Sequence, residues 1–141
     1  MVRVLVIDDE PDVLLLCRMN LRHDGHEVLE ASDGATGLAI ATATPPDVVV
    51  LDLMMPAMDG YGVLSALRDS EATRNVPVLV LSAKAQVEDR RRSLEAGCDV
   101  FLSKPFAPDQ LAEALTDLVA LDPAARIEGR EAALRAIEER V

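Results

Sequence analysis

The sequence predicts an α/β fold, a doubly wound parallel sheet with helices on both faces. Two observations carry this. Five short runs rich in Val, Ile and Leu alternate with helix-like patterns along the chain. Three of those runs, VRVLVI, VVVL and VPVLVL, are nearly continuous in apolar residues, as strands buried on both faces must be. A strand–helix unit repeated in this way closes into a parallel sheet through right-handed crossovers. At 141 residues the chain fits one domain, long enough to bury a core without staples.

The first run, Val2–Ile7, leads into a helix over Pro11–His23 that carries Leu14, Cys17 and Leu21 on one stripe. His23-Asp24-Gly25 stops that helix. Glu27–Glu30 is the most polar run and suits a sheet edge. An Ala-rich helix over Asp33–Ala43 ends before Pro45-Pro46, and the third strand follows at Val48–Leu51. Asp59–Ser70 presents Val63, Leu64 and Leu67, and Val76–Leu81 is the fourth strand. The helix expected over Gln86–Ala96 has little more than Val87 and Leu94 on its apolar side, with Arg90-Arg91-Arg92 in its middle. So little apolar contact predicts a weakly anchored helix with a solvated arginine face. Val100–Leu102 is the fifth strand. Pro108–Leu121 closes the unit with Leu111, Leu115 and Leu118, Pro108 near its start and Pro123 just past its end.

Residues 1–121 therefore form the domain, and residues 122–141 read as a short helical tail or linker. In the tail Ile127, Leu134, Ile137 and Val141 make a heptad-like stripe that Gly129 interrupts, too short to stand alone. Three roles fit it: docking on the domain, dimerisation, or the start of a linker. Ile127-Glu128-Gly129-Arg130 also spells a common engineered protease site.

Composition narrows the function. Half of the residues are hydrophobic and 2% aromatic, so the core is aliphatic. A formal charge of −11 argues against binding DNA or anionic lipid through the general surface and suits cations or a basic partner. Cys17 and Cys98 lack metal-like spacing and read as buried, reduced thiols. His23 and His26 read as surface or capping residues. No basic leader precedes the first strand, and no apolar run approaches the roughly 20 residues of a membrane span. The expected compartment is the cytoplasm.

In a parallel α/β sheet the functional crevice lies at the carboxyl ends of the strands. The first run ends in Asp8-Asp9-Glu10, the third in Asp52, the fourth in Ser82, and the fifth is followed by Lys104. Carboxylates, a hydroxyl and an ammonium from across the chain thus converge. Two carboxylates about 4 Å apart repel by roughly 4 kcal/mol at an effective dielectric near 20. Either one stays protonated, or a hard divalent cation sits among Asp8, Asp9 and Asp52. Mg²⁺ takes one or two protein carboxylates and bridges to phosphate oxygens. Charge developing on a transferred phosphoryl group is then stabilised by the metal and by Lys104. Each position alone also suits a plainer role: Asp8-Asp9 as helix caps, Asp52 in a turn, Ser82 as a cap, Lys104 on the surface. The joint placement at four strand ends favours the chemistry.

The segments IDDEP (Ile7–Pro11), DLMMPAMDG (Asp52–Gly60), VLVLSAK (Val78–Lys84) and FLSKPF (Phe101–Phe106) together resemble receiver domains of two-component response regulators, over about residues 1–121. The resemblance implies a flavodoxin-like sheet of order 2-1-3-4-5 with five helices in three layers. It implies that Asp52 is the phosphoacceptor, taking a phosphoryl group from a sensor histidine kinase or histidine phosphotransfer protein. It implies Mg²⁺ held by Asp9 and Asp52, by Asp8 largely through water, and by the backbone carbonyl of Met54. Ser82 and Lys104 would contact the phosphoryl group, Lys104-Pro105 would be a cis peptide, and Phe101 would be the switch aromatic. Met54 and Lys84 stand at positions that modulate self-dephosphorylation. The signal would leave through helix 4, strand 5 and helix 5, from a monomer or a phosphorylation-dependent dimer, with no enzymatic activity beyond the domain's own phosphorylation and dephosphorylation. A receiver fragment of a larger transcriptional or enzymatic regulator is the alternative, although no basic recognition element lies within these residues. A small-molecule aspartyl-phosphate hydrolase is disfavoured because Met54 stands where such enzymes carry a second acid. A flavin carrier is disfavoured because Asp8-Asp9-Glu10 would repel its phosphate.

Overall fold

The computed structural model describes residues 2–55, 59–83 and 86–139. Lys84 and Val141, both singled out above, lie outside them. The strands are β1 (Arg3–Ile7), β2 (Glu27–Ala31), β3 (Val48–Asp52), β4 (Val78–Ser82) and β5 (Val100–Ser103). They form one parallel sheet of order β2-β1-β3-β4-β5, with the polar β2 at an edge as its composition demands. The helices are α1 (Pro11–His23), α2 (Gly34–Ala43), α3 (Gly60–Asp69), α4 (Val87–Ala96), α5 (Pro108–Val119) and α6 (Pro123–Glu139). The expected five helices become six because the tail is helical.

Alternation along the strands builds two cores. Leu5, Ile7, Val49, Leu51, Val78 and Val80 pack with α2, α3 and α4 through residues such as Ala41, Leu64, Leu67 and Leu94. Val4, Val6, Val48, Val50, Leu79 and Leu81 pack with α1 and α5 through Cys17, Leu21, Leu111 and Leu115. The sheet is the middle of three layers. Burial pushes the thiols of Cys17 and Cys98 up to about 12, so neither is a nucleophile at neutral pH.

Helix starts follow the polar residues that precede them. Asp33 accepts from Thr36 N–H at 2.8 Å, and Asp59 accepts from Gly62 N–H at 2.9 Å. Asp122-Pro123 ends one helix and starts the next, since Asp122 Oδ1 accepts from Ala125 N–H at 2.7 Å. Gly60 sits where a Cβ would lie 2.4 Å from Leu53 Cα, so only glycine lets α3 begin this close to the loop after β3.

α6 docks beside α4, with Ala133, Leu134 and Ile137 half-buried against the α4 side of the core. Ile127, the first member of the sequence stripe, is instead 47% exposed. The firmer anchor is polar. The Asp99 carboxylate, before β5, meets Arg68 of α3 at 3.1 Å, Arg126 at 3.6 Å and Arg130 at 3.7 Å. Its Oδ2 also accepts from Val78 N–H at 2.9 Å. The surplus guanidinium protons go to carbonyls: Arg68 and Arg130 both donate to Gly97 O, and Arg126 donates to Asn75 O. Gly97 ends α4 in the left-handed region at φ 110°, and a Cβ there would meet Arg68 Nε at 2.9 Å. Burial lowers the Arg68 guanidinium below its ordinary range and the Asp99 charge opposes that.

The arginine run of α4 lies at the surface, with Arg90 and Arg92 exposed. Arg90 lies over the Phe101 ring at 5.6 Å and Arg92 over the Tyr61 ring at 3.8 Å, so two of the three cover aromatic faces. Val87 is 49% exposed, which leaves Leu94 as the apolar anchor.

Removing a buried charge that satisfies its partners costs more than the pair's net worth. Asp99→Ala should therefore lower unfolding free energy by about 3–5 kcal/mol, read by urea denaturation. A loss below about 1 kcal/mol, the range of exposed ion pairs, would show that the cluster is effectively solvated.

Candidate functional site

β1 and β3 are neighbours, and Ile7 is in register with Leu51, so the residues that follow them, Asp8 and Asp52, leave the sheet side by side. Asp52 is in register with Leu81, which puts Ser82 one step beyond it on β4. Ser82 pairs with Ser103, and Lys104 N–H donates to Ser82 O at 2.8 Å, extending that ladder by one rung. The Lys104–Pro105 peptide is cis. Asp8, Asp52 and Ser82 are each at most 1% exposed.

Lys104 Nζ lies 3.0 Å from Asp8 Oδ2, 2.9 Å from Glu10 Oε1 and 3.5 Å from Asp52 Oδ2. The first two are hydrogen bonds. Asp52 Oδ2 is at ion-pair distance only and accepts no hydrogen bond, whereas Asp52 Oδ1 accepts from Met54 N–H at 3.1 Å. Asp8 Oδ1 accepts from Glu10 N–H at 2.9 Å. Burial of the Lys104 ammonium works against its charge, but the hydrogen bonds it donates to Glu10 and Asp8 outweigh that and hold it above its ordinary range. Burial raises the Asp52 carboxyl to about 6, aided by Asp8 and opposed by Met54 N–H and Lys104.

Carboxylate oxygens of Asp8, Glu10 and Asp52 lie within 4.8 Å of one another. Asp9, expected as a direct metal ligand, is half-buried but is not a member of that converging group; its Oδ1, like Asp52 Oδ2, is buried without a hydrogen-bond partner. Orphaned, converging carboxylate oxygens fit a hard cation that takes oxygen ligands. Glu10 is the member that reading the sequence left outside the site. It occupies the cap position of α1 but makes no side-chain cap, so its carboxylate is spent on Lys104 instead. The signal was its place directly after Asp8-Asp9 at a strand end. Met54 is 52% exposed, and its amide touches Asp52. Phe101 is half-buried on β5, beneath Arg90. His26 is a fastening, its Nδ1 accepting from Val2 N–H at 3.2 Å.

This crevice favours binding of a small anion with its counter-cation. One ammonium faces three carboxylates, two of them at most 1% exposed, and an incoming phosphate meets attraction only where a cation offsets them.

Because the folded carboxyl of Asp52 titrates near 6 rather than its ordinary 3.8, ionising it costs folding stability as pH rises through that window. Asp52→Asn removes the cost. In a chelator-containing buffer the variant should match the wild type below about pH 3.8, gain stability through the window and hold a constant advantage above about pH 6. Urea midpoints across pH 3–8 check this, and curves that stay parallel would remove the buried-carboxylate account.

The description "Response regulator receiver domain" matches residues 4–116. The transcriptional regulatory protein PrrA of Mycobacterium leprae is 50% identical over 119 residues, 84% of this chain and 49% of that protein. The DNA-binding dual master transcriptional regulator RpaA of Synechocystis is 40% identical over 111 residues, 79% of this chain and 46% of that protein. The chain thus spans about half the length of the curated relatives it matches. Among solved structures, the chemotaxis protein CheY4 of Vibrio cholerae superposes with a TM-score of 0.80 at 30% identity, covering 84% of this chain and 98% of that one. The receiver domain of the sensor histidine kinase PA1611 of Pseudomonas aeruginosa, solved with a magnesium ion coordinated in its active site cleft, gives 0.79 at 29% identity, covering 85% and 98%.

Proposed function

The chain belongs to the response regulator receiver family, and from that premise we propose that Asp52 is its phosphoacceptor, working with Mg²⁺ in the crevice of Asp8, Asp9, Glu10 and Lys104. The observation that carries this is the buried Asp52 Oδ2. It accepts no hydrogen bond, sits 3.5 Å from the Lys104 ammonium, and is therefore an oxygen free to act as nucleophile.

Receiver domains are signalling modules, and the chemistry assigned here is self-modification. An Asp52 oxygen attacks the phosphorus of a phosphohistidine protonated on its free ring nitrogen, the P–N bond breaks, and neutral imidazole leaves carrying that proton. Bound Mg²⁺ supplies charge neutralisation for the phosphoryl oxygens. Lys104, already held at the crevice by Asp8 and Glu10, moves its ammonium onto the phosphoryl group. Ser82 donates its hydroxyl to a phosphoryl oxygen, and Met54 offers its backbone carbonyl as a further oxygen ligand. Hydrogen bonds to a charged group contribute roughly 1.5–3 kcal/mol each. Two or three of them reach the roughly 5.5 kcal/mol that inverts a 1:99 equilibrium. Phe101 on β5 is the switch aromatic of this scheme, and the α4–β5–α5 face is its output.

A histidine kinase or phosphotransfer helix is the fitting donor. α1 leaves Leu15, Leu16 and Met19 exposed by 45%, 36% and 63%. A groove of about 350 Å³ between α1 and Lys104–Phe106 opens next to them, lined by Val13, Leu16, Pro105 and Phe106. An apolar face beside an acidic crevice suits a helix that presents a phosphohistidine. Among the described residues no helix is long and apolar enough to cross a membrane, and a cytoplasmic site of action is part of the proposal. We assign residues 1–121 to the receiver and 122–141 to an appended segment. The half-length coverage of PrrA and RpaA favours a second reading, in which this receiver controls a DNA-binding output outside these residues.

Acetyl phosphate with Mg²⁺ should add one phosphoryl group to the wild type and none to Asp52→Ala, read by intact mass. Equal gain in both would remove Asp52 from its role. Met19→Glu should slow transfer from a phosphorylated histidine kinase about tenfold, the worth of roughly 1.4 kcal/mol of lost docking, with the acetyl phosphate rate unchanged. Equal slowing with both donors would place the defect in the crevice rather than the docking face.

A further inference from the structure

α6 begins at Pro123, beyond residue 116 where the family match ends. Its seat is made of α4 and β5, and both elements lead straight from the crevice. β4 ends at Ser82 and α4 is the next element, while β5 ends at Ser103 beside Lys104. A rearrangement of Ser82 and Lys104 therefore reaches the seat through one short segment each.

The seat is unevenly packed. A cleft of about 270 Å³ separates Leu94 and Phe101 from Ala133, Ala136 and Ile137 of α6. The cleft is open to solvent along one side, so its lining side chains are only partly covered. Phe101 forms part of its wall, so a shift of that ring widens or fills the gap instead of being absorbed by interlocked side chains. The polar side holds through carbonyls as well as charge, with Arg126 donating to Asn75 O and Arg130 to Gly97 O. Arg126 and Arg130 reach Asp99 at 3.6 and 3.7 Å, and Asp99 Oδ1 and Arg126 Nε are buried without hydrogen bonds. An apolar contact open to solvent on one side and ion pairs longer than a hydrogen bond on the other leave the seat short of full interlocking.

We propose that α6 is a latch over the α4–β5 face, seated while Asp52 is unmodified and released when a phosphoryl group occupies the crevice, uncovering the surface beneath. This rests on Asp52 being the phosphoacceptor. Coupling between two sites is reciprocal: whatever phosphorylation does to the latch, loosening the latch does to the affinity of the crevice for a phosphoryl mimic.

The chain carries its own probe. Ile127-Glu128-Gly129-Arg130 lies inside α6, so a protease specific for that sequence cuts after Arg130 only when the helix opens, and the rate follows the open population. With the full chain, Mg²⁺ and beryllofluoride should speed this cleavage about tenfold, within the usual range of allosteric coupling. Amide exchange over residues 123–139 should accelerate with it. Arg126→Ala should cleave faster without the mimic and bind beryllofluoride more tightly by a similar factor, with fluorine NMR reporting binding. Ile137→Ala, which trims the apolar side of the seat, replaces it if Arg126→Ala does not fold. Beryllofluoride bound with cleavage and exchange unchanged overturns the latch and leaves Asp52 in its role. No fluorine signal in the wild type, as in Asp52→Ala, overturns both. A loosened variant that cleaves faster yet binds the mimic identically makes α6 a packed appendage and overturns the coupling.

Discussion

The carboxyl end of the sheet depends on one ammonium. Asp8, Glu10 and Asp52 bring their oxygens within 4.8 Å of one another, where each pair repels by roughly 4 kcal/mol at an effective dielectric near 20. Lys104 stands among them at 2.9 to 3.5 Å. It comes from 96 positions further along the chain than Asp8, so the contact forms only after the whole sheet has assembled. Its backbone is fixed by the rung to Ser82 O, and its side chain is thereby aimed back across β4 and β3 toward β1. The fold places the charges; the charges then leave the site short of one cation. That deficit fits a hard divalent ion, which takes carboxylate oxygens as ligands.

Much of this was legible in the sequence because the signals were strong and local. Strands buried on both faces must be continuous in aliphatic residues, and β1, β3 and β4 announce themselves by that alone. The polar β2 reads as an edge and is one. Strand ends locate the crevice without any side-chain geometry, which is why Asp8, Asp52, Ser82 and Lys104 were nameable before their distances were known. Glu10 was not, because its proximity to Lys104 depends on how the chain turns into α1, and a Glu at a helix start has the commoner reading of a cap.

The tail was harder for a physical reason. Its apolar stripe is thin, Ile127 stays largely in solvent, and Gly129 costs helix propensity. What seats it is a buried carboxylate on another element meeting Arg126 and Arg130, a long-range pairing to which periodicity is blind. The arginines of α4 do lie on an exposed face, as a run of like charges usually does. Arg90 and Arg92 in addition cover rings from β5 and α3, which a charge pattern does not show.

α4 is held by more than apolar contact. Read from sequence it is a helix with too little apolar contact to be held. In the folded chain its two ends differ. The amino end, at Val87, stays exposed next to the segment that follows Ser82. The carboxyl end is fixed by Leu94 in the core and by Gly97, whose carbonyl gathers Arg68 and Arg130. Between these ends Tyr61 Oη donates to Asp89 O, and Arg90 and Arg92 lie over the Phe101 and Tyr61 rings. The carboxyl end shares the Asp99 cluster with α6. Under the latch proposal, a displacement at Ser82 that reaches α4 is carried to where the tail is fastened. Surface contacts of this kind suit such a role, since an α4 interlocked with the core along its whole length would hold both ends against any change in the crevice.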